Sequence, residues 1–331
     1  LGYYQDRGTS TEKPTDTLFD TVLWMYRKSS RGHLFEAGGN ATPTTQQDWQ
    51  ECLDRLFLPG LQLNALEVTA ANLERQLGRP VHVGVVLTLP YPDVRVADWS
   101  DSAGAPDLDF RRSDEQRLRA VQWYVQAATK KWQEARLQHL RLLGFYWFNE
   151  SHINLRKPDE IPDEALRSDL KLIRDVARYV HGLDMDGRRL TLTWIPYSPY
   201  GSERLSVAAE LLSGAPDERL DYLMVQPNYF FPRWKKEKAD LVQTVRNAAS
   251  IPCGVEVECD ELLTHDAAAR QRFLDYLKVI SQEHRHWEQV PVGYYQGLRA
   301  VHEMATRPEL AELYEALHAF IAAHRKPHAT E

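Results

Sequence analysis

The chain has 331 residues, 43% of them hydrophobic and 26% charged, with a formal net charge of −7 at pH 7. That length suits one large α/β domain or two ordinary ones. The acidic balance argues against a general nucleic-acid binder, which needs a basic surface to release counterions, and no apolar run approaches the ~20 residues needed to cross a bilayer.

Cys52, Cys253 and Cys259 form no CxxC pair, and an odd count speaks against a disulfide framework, a single bridge apart. The first residue is Leu1 rather than Met, which leaves room for a trimmed leader. The compartment stays open, with a secreted or periplasmic setting favoured over a cytoplasmic one.

In chain order, residues 1–4 read as a short first strand and residues 19–26 as a second. Helical patterns follow over 44–57, with Trp49, Cys52, Leu53 and Leu56 on one side, and over 61–77. Residues 81–89 are β-branched and apolar, a third strand stopped by Pro90-Tyr91-Pro92. The loop 90–112 is rich in Asp and Pro, and loops of this length are usually functional or disordered. Ser113 and Gln116 suit a capping box opening a long helix, with Leu118, Val121, Tyr124, Ala128, Trp132 and Ala135 as its apolar stripe.

The apolar, aromatic run 142–150 is too short for an ordinary helix and reads as a strand buried on both faces, ending in Asn149-Glu150. A helix starting at Pro162-Asp163-Glu164 carries Leu166, Leu170, Ile173, Ala177 and Val180, with Gly182 as its stop. Strands over 190–195, 222–226, 253–258 and 290–295 then alternate with helices over 204–212, 235–249, 267–281 and 308–323. Eight strands, nearly all followed by a helix, predict parallel βαβ units closed into a single-domain (β/α)8 TIM barrel spanning residues 1–331. An open doubly wound sheet is the alternative, but no GxGxxG follows any strand.

In such a barrel a carboxylate at the carboxyl end of a strand faces the active-site mouth, which makes Glu150 the first candidate acid. Strand 253–258 places Glu256 and Glu258 on one face. An unpaired charge is too costly to bury against outer helices, so both are expected in the mouth. Glu258 is nearer the carboxyl end and suited to reach substrate, with Glu256 deeper as support. Two carboxylates across a mouth suit glycoside hydrolysis, with retention at about 5–5.5 Å separation and inversion at roughly 6.5–9.5 Å.

Tyr91, Trp147, Trp194, Tyr197, Tyr229, Tyr294 and Tyr295 fall at strand ends, where an aromatic face can stack on a sugar ring. Core packing is the plainer reading of any one of them. Asn149, Gln226, Asn228 and Gln296 are candidates to bond hydroxyls, although Asn228 after Pro227 equally suits a turn.

Other chemistries have less behind them. His284 and His286 stand two apart on a predicted helix and share no face. There is no HExxH, no Cys/His cluster, no GxSxG elbow and no phosphate loop. Asp98, Asp101, Asp107 and Asp109 do not follow a calcium-loop pattern. The aromatic and basic stretch 229–236 suits an acidic polysaccharide or a nucleic acid, but a solvated helix start is preferred. His152 either tunes Glu150 or is an ordinary loop histidine.

Counted from residues 1–4, Glu150 closes the fourth strand and Glu258 the seventh. This order resembles a large clan of retaining (β/α)8 glycoside hydrolases, which implies Glu150 as acid/base and Glu258 as nucleophile. A wider set of motifs resembles a bacterial family of domains of unknown function over about residues 19–300. It comprises Pro90-Tyr91-Pro92, Gly144-Phe145-Tyr146-Trp147 with Glu150, Trp194-Ile195-Pro196-Tyr197, Gln226-Pro227-Asn228-Tyr229, Gly254-Val255-Glu256-Val257-Glu258 and Tyr294-Tyr295-Gln296.

Together these readings predict a glycoside hydrolase of a polysaccharide or oligosaccharide that needs no cofactor and no metal. Aromatic surroundings would raise the proton affinity of Glu150 by desolvation, and the 90–112 loop would wall one end of the cleft. Carbohydrate is the expected partner, with no nucleic acid and no membrane; the oligomeric state is left open. The alternatives are a barrel that binds carbohydrate without cleaving it, or a metal-dependent hydrolase using Glu256, Glu258, Asp260 and His152.

Overall fold

The computed structural model describes residues 1–5, 13–37, 42–100, 108–150, 163–197, 202–231 and 240–325. Its strands and helices, in chain order, are β1 (Gly2–Tyr3), β2 (Asp16–Thr17), β3 (Thr21–Trp24), α1 (Gln46–Leu56), α2 (Gln62–Leu77), β4 (Val83–Leu89), α3 (Asp114–Ala135), β5 (Leu140–Trp147) and α4 (Asp163–His181). They continue as β6 (Asp184–Met185), β7 (Arg188–Arg189), β8 (Thr191–Trp194), α5 (Ser202–Leu212), β9 (Tyr222–Val225), α6 (Leu241–Ser250), β10 (Gly254–Glu258), α7 (Ala267–Glu283), β11 (Val292–Tyr295), α8 (Ala300–Thr306) and α9 (Ala311–His324).

One compact unit comprises Asp20–Trp194 and Ser213–Asp221. Its strands β3, β4, β5 and β8 pair in parallel in chain order, as βαβ units require. Local sequence explains the helix ends. Thr45 and Asp48 cap the start of α1 reciprocally, and α2 stops at Gly78, whose left-handed backbone (φ 64°) suits a glycine.

Ser113 Oγ accepts from the Gln116 amide at the start of α3. The other half of the predicted box is absent, because Gln116 Oε1 instead accepts from the Asp109 amide at 2.7 Å. On β5, Gly144 is forced by close approach: a Cβ there would stand 2.0 Å from the Thr191 carbonyl oxygen on β8.

The second unit comprises Leu1–Phe19, Ile195–Leu212 and Tyr222–Glu331. Here β9, β10 and β11 pair in parallel, again in chain order. The buried stripe of α7 is Ala269, Phe273, Tyr276, Leu277 and Ile280, at helical spacing.

The expected first barrel strand at residues 1–4 is corrected by the pairing. Gly2–Tyr3 runs antiparallel to Asp16–Thr17, and Tyr3 stacks on His318 of α9 at 3.5 Å and donates its hydroxyl to Glu315. A strand this short, with a partner a dozen residues away, closes a local antiparallel pair more readily than a parallel one. Among the described residues seven strands therefore run parallel to a neighbour, four in the first unit and three in the second. Glu150 follows the third of them and Glu258 closes the sixth.

The hairpin β6–β7 and the helix α8 were not expected from the sequence. Helix α6 starts at Leu241 on an Asp240 cap; residues 235–239 of its predicted start lie outside the described residues. Cys52, Cys253 and Cys259 are all free and buried.

Candidate active site

The first unit carries Glu150 just past the end of β5. Register places Thr88 of β4, Tyr146 of β5 and Thr193 of β8 in one row. Side chains alternate along a strand, so the flanking rows Leu87–Phe145–Leu192 and Leu89–Trp147–Trp194 occupy the opposite face. That opposite face meets the helices. Trp147 stands edge-on to Tyr91 at 5.9 Å, and the Tyr91 hydroxyl donates to Asp169 of α4 at 3.0 Å.

Glu150 has the same parity as Tyr146. It is half-buried and accepts a hydrogen bond from the Tyr146 hydroxyl on Oε1 at 2.8 Å. Asn149 is buried, and its carbonyl accepts from Trp194 Nε1 at 3.0 Å.

Three predicted stacking platforms are enclosed: Tyr91, Trp147 and Trp194 expose 6%, 1% and 0% of their surface. Their strand faces turn toward the helix layer, and no face of these rings is open to a sugar. Around Tyr91 lies a buried polar network that sequence reasoning missed. Arg117 of α3 is fully enclosed and donates to Asp169 at 2.7 Å, to Asp114 at 3.0 Å and to the Pro92 carbonyl at 2.8 Å. Burial pushes the Asp169 carboxyl up against the pull of the guanidinium. The available signal was spacing: Arg117 stands four before Val121 and seven before Tyr124, on the apolar stripe itself.

The second unit carries Glu256 and Glu258 on β10, buried and sharing a face by alternation. Glu258 is only 2% exposed and receives the hydroxyl of Tyr276 from α7. Burial pushes its carboxyl up to about 8, against hydrogen bonds from Tyr276 and from the backbone amides of Phe230, Asn228 and Tyr229. The Tyr276 hydroxyl also accepts from the Tyr229 amide at 3.0 Å, so one phenol joins the carboxyl to the turn after β9.

The same turn holds other predicted contacts. Gln226 donates to the Ile195 carbonyl at 2.9 Å, and Asn228 donates to the Tyr197 hydroxyl at 2.9 Å. Asn228 sits in left-handed backbone (φ 54°), which Asn tolerates better than most residues. Tyr229 is half-buried and donates its hydroxyl to Asp275 at 2.9 Å. Tyr294 is half-buried against Phe19, while Tyr295 and Gln296 are exposed. In this unit Tyr197, Tyr229, Tyr294 and Tyr295 are thus not fully enclosed. Tyr276 carried no signal, since only the packing of α7 on β10 brings it to Glu258.

Some expectations fall on other ground. His152, residues 232–236 of the basic stretch, and Asp101 and Asp107 lie outside the described residues. Among the described residues, no three His, Cys, Asp or Glu side chains gather as metal ligands, and no helix is long and apolar enough to cross a membrane. His284, expected on a helix, instead caps the end of α7, where its Nε2 meets the Cys253 carbonyl at 2.8 Å.

Carboxyl groups at the carboxyl ends of parallel strands define the class, an α/β protein with acidic residues where such folds place their ligands. The chain belongs to the family described as a domain of unknown function, DUF4855, whose sequence profile matches residues 3–319.

No curated protein matches the chain. Among solved structures it is similar to a GH5-4 broad-specificity endoglucanase from Clostridium longisporum, with 8% identity, 86% of this chain and 81% of that chain covered, and a TM-score of 0.47. It is similar also to a psychrophilic glycoside hydrolase family 10 endo-β-1,4-xylanase, with 11% identity, coverages of 78% and 82%, and a TM-score of 0.45. A third is a glycoside hydrolase family 5 enzyme from Prevotella bryantii B14 in complex with a xyloglucan tetradecasaccharide, with 13% identity, coverages of 92% and 96%, and a TM-score of 0.43.

Proposed function

We propose that the chain is a glycoside hydrolase acting on a polysaccharide or oligosaccharide on a barrel-type scaffold. Glu150 is the general acid/base, and the second carboxylate comes from the Glu256/Glu258 pair, with Glu258 first. The observation that carries this reading is that acidic side chains stand where parallel strands end: Glu150 just past β5 and Glu258 on the last residue of β10.

The chemistry follows from those two groups. The Glu150 carboxylic acid protonates the glycosidic oxygen as the bond to the anomeric carbon breaks. The second carboxylate attacks that carbon and forms a glycosyl ester. Water, deprotonated by Glu150, then cleaves the ester and restores both groups. Tyr197, Tyr229, Tyr294 and Tyr295 supply ring surface for sugar, and Gln296 supplies an amide.

The enclosure of Glu258 favours one second reading, a protein that binds carbohydrate without cleaving it. Mutagenesis separates them. Glu258→Gln and Glu256→Gln are assayed beside the wild type on a glycan panel. As nucleophile, Glu258 must be ionised while Glu150 holds its proton, and Glu258→Gln is inactive. Glu258→Gln activity equal to wild type, with Glu256→Gln inactive, transfers the role to Glu256. A wild type that retains glycans but cleaves none establishes the binding reading.

A further inference from the structure

We propose that Tyr146 is a positioning residue that fixes the orientation and proton affinity of Glu150; this rests on the acid/base role given to Glu150 above. Three observations carry it. First, Tyr146 is almost wholly enclosed, yet its hydroxyl donates to Glu150 Oε1 at 2.8 Å. A buried phenol without a partner is costly, so the hydroxyl and the carboxyl constrain each other.

Second, Phe148, just past β5 and of the same parity as Tyr146, is buried with its ring centroid 6.1 Å from that of Tyr146. Apolar packing there is met by Phe, and position 146 differs by the single oxygen that reaches the carboxyl. Third, the row that Tyr146 belongs to is hydroxyl-bearing throughout. Thr88 donates to the Trp24 carbonyl at 2.6 Å, and buried Thr193 Oγ1 has no hydrogen-bond partner among the described residues. Hydroxyls therefore collect on the face that Glu150 shares, away from the Trp147–Trp194 face.

The physical consequence has a definite sign. A phenol O–H donates more strongly to an ionised carboxylate than to a neutral acid, so it favours the charged form. Removing it raises the pH at which Glu150 takes up its proton. It also removes one of the contacts that orient the carboxyl, which lowers the fraction of bound substrate met in a productive geometry.

The test is Tyr146→Phe, read by carbon-13 NMR titration of the Glu150 carboxyl and by the pH profile on whichever glycan the wild type cleaves. The expected result is a rise of about one pH unit in the Glu150 midpoint, from the loss of one hydrogen bond to a charged group. The alkaline limb of kcat/KM, which reports the free enzyme, moves up equally, and kcat falls more than KM changes. A folded Tyr146→Phe protein with an unmoved midpoint overturns the proposal. If Tyr146→Phe does not fold, 3-fluorotyrosine at position 146 replaces it; it keeps the shape and strengthens the donor. The midpoint then falls, and an unmoved midpoint again overturns the proposal. Failure of the underlying role looks different: Glu150→Gln is then fully active whatever Tyr146→Phe does to the titration.

Discussion

Glu258 is a carboxyl whose surroundings pull in two directions. Burial favours its neutral form, while Tyr276 and three backbone amides favour the charged one, and burial wins. The consequence for stability is opposite to that of an ordinary ion-paired carboxylate. Below about 4.5, its ordinary value, the group is protonated in both folded and unfolded chains and contributes nothing to pH dependence. Between 4.5 and about 8 the unfolded chain has released the proton that the folded chain still holds. Stability therefore falls as pH rises through that window, by at most about 1.4 kcal/mol per pH unit, and levels off above it. Glu258→Gln removes this slope. Urea unfolding at pH 5, 6, 7 and 8 is expected to show the variant gaining on wild type at each step; parallel curves would show that Glu258 is ionised at neutral pH. The residue stood out as a candidate because two Glu alternate inside an apolar strand. Its enclosure was not, since the donors come from residues 18 and about 30 positions away.

At the scale of elements, strands and helices were readable wherever local pattern and packing agree. Strand β4 is apolar throughout and buried throughout, and α4 buries the predicted Leu170, Ile173, Ala177 and Val180. Sequence reasoning failed where tertiary context decides. The aromatics Tyr91, Trp147 and Trp194 lie near strand ends, but face follows from parity, and their parity turns them to the helices. Arg117 went unread: spacing puts it on the apolar stripe of α3, but its partner Asp169 lies 52 residues away. This pair makes a prediction about how α3 and α4 are held. Asp169→Ala takes from an enclosed guanidinium its buried counter-charge and leaves it the half-buried Asp114, at a cost of about 3–5 kcal/mol. Replacing both at once, as Arg117→Met with Asp169→Leu, restores much of that loss. Denaturant midpoints check this; equal midpoints for wild type and Asp169→Ala would mean that water or Asp114 compensates the charge.

For the whole molecule, the alternation of strands and helices correctly announced parallel βα units, since each apolar run of four to eight residues is followed by a helical pattern. The first strand was misplaced because two residues of β-pattern cannot say whether their partner is near or far in sequence, and Gly2–Tyr3 found Asp16–Thr17. Strand-end acids remained readable through that error, because their position depends on where each strand stops and not on how many precede it. The central claim is that Glu150 donates and accepts the proton in glycoside cleavage. It is tested most directly by measuring reducing-end release from a glycan panel with wild type beside Glu150→Gln. The expected result is release by the wild type from at least one glycan, reduced about 10²- to 10⁴-fold in Glu150→Gln; equal release by the two proteins, or none by a folded wild type on any glycan, would contradict it.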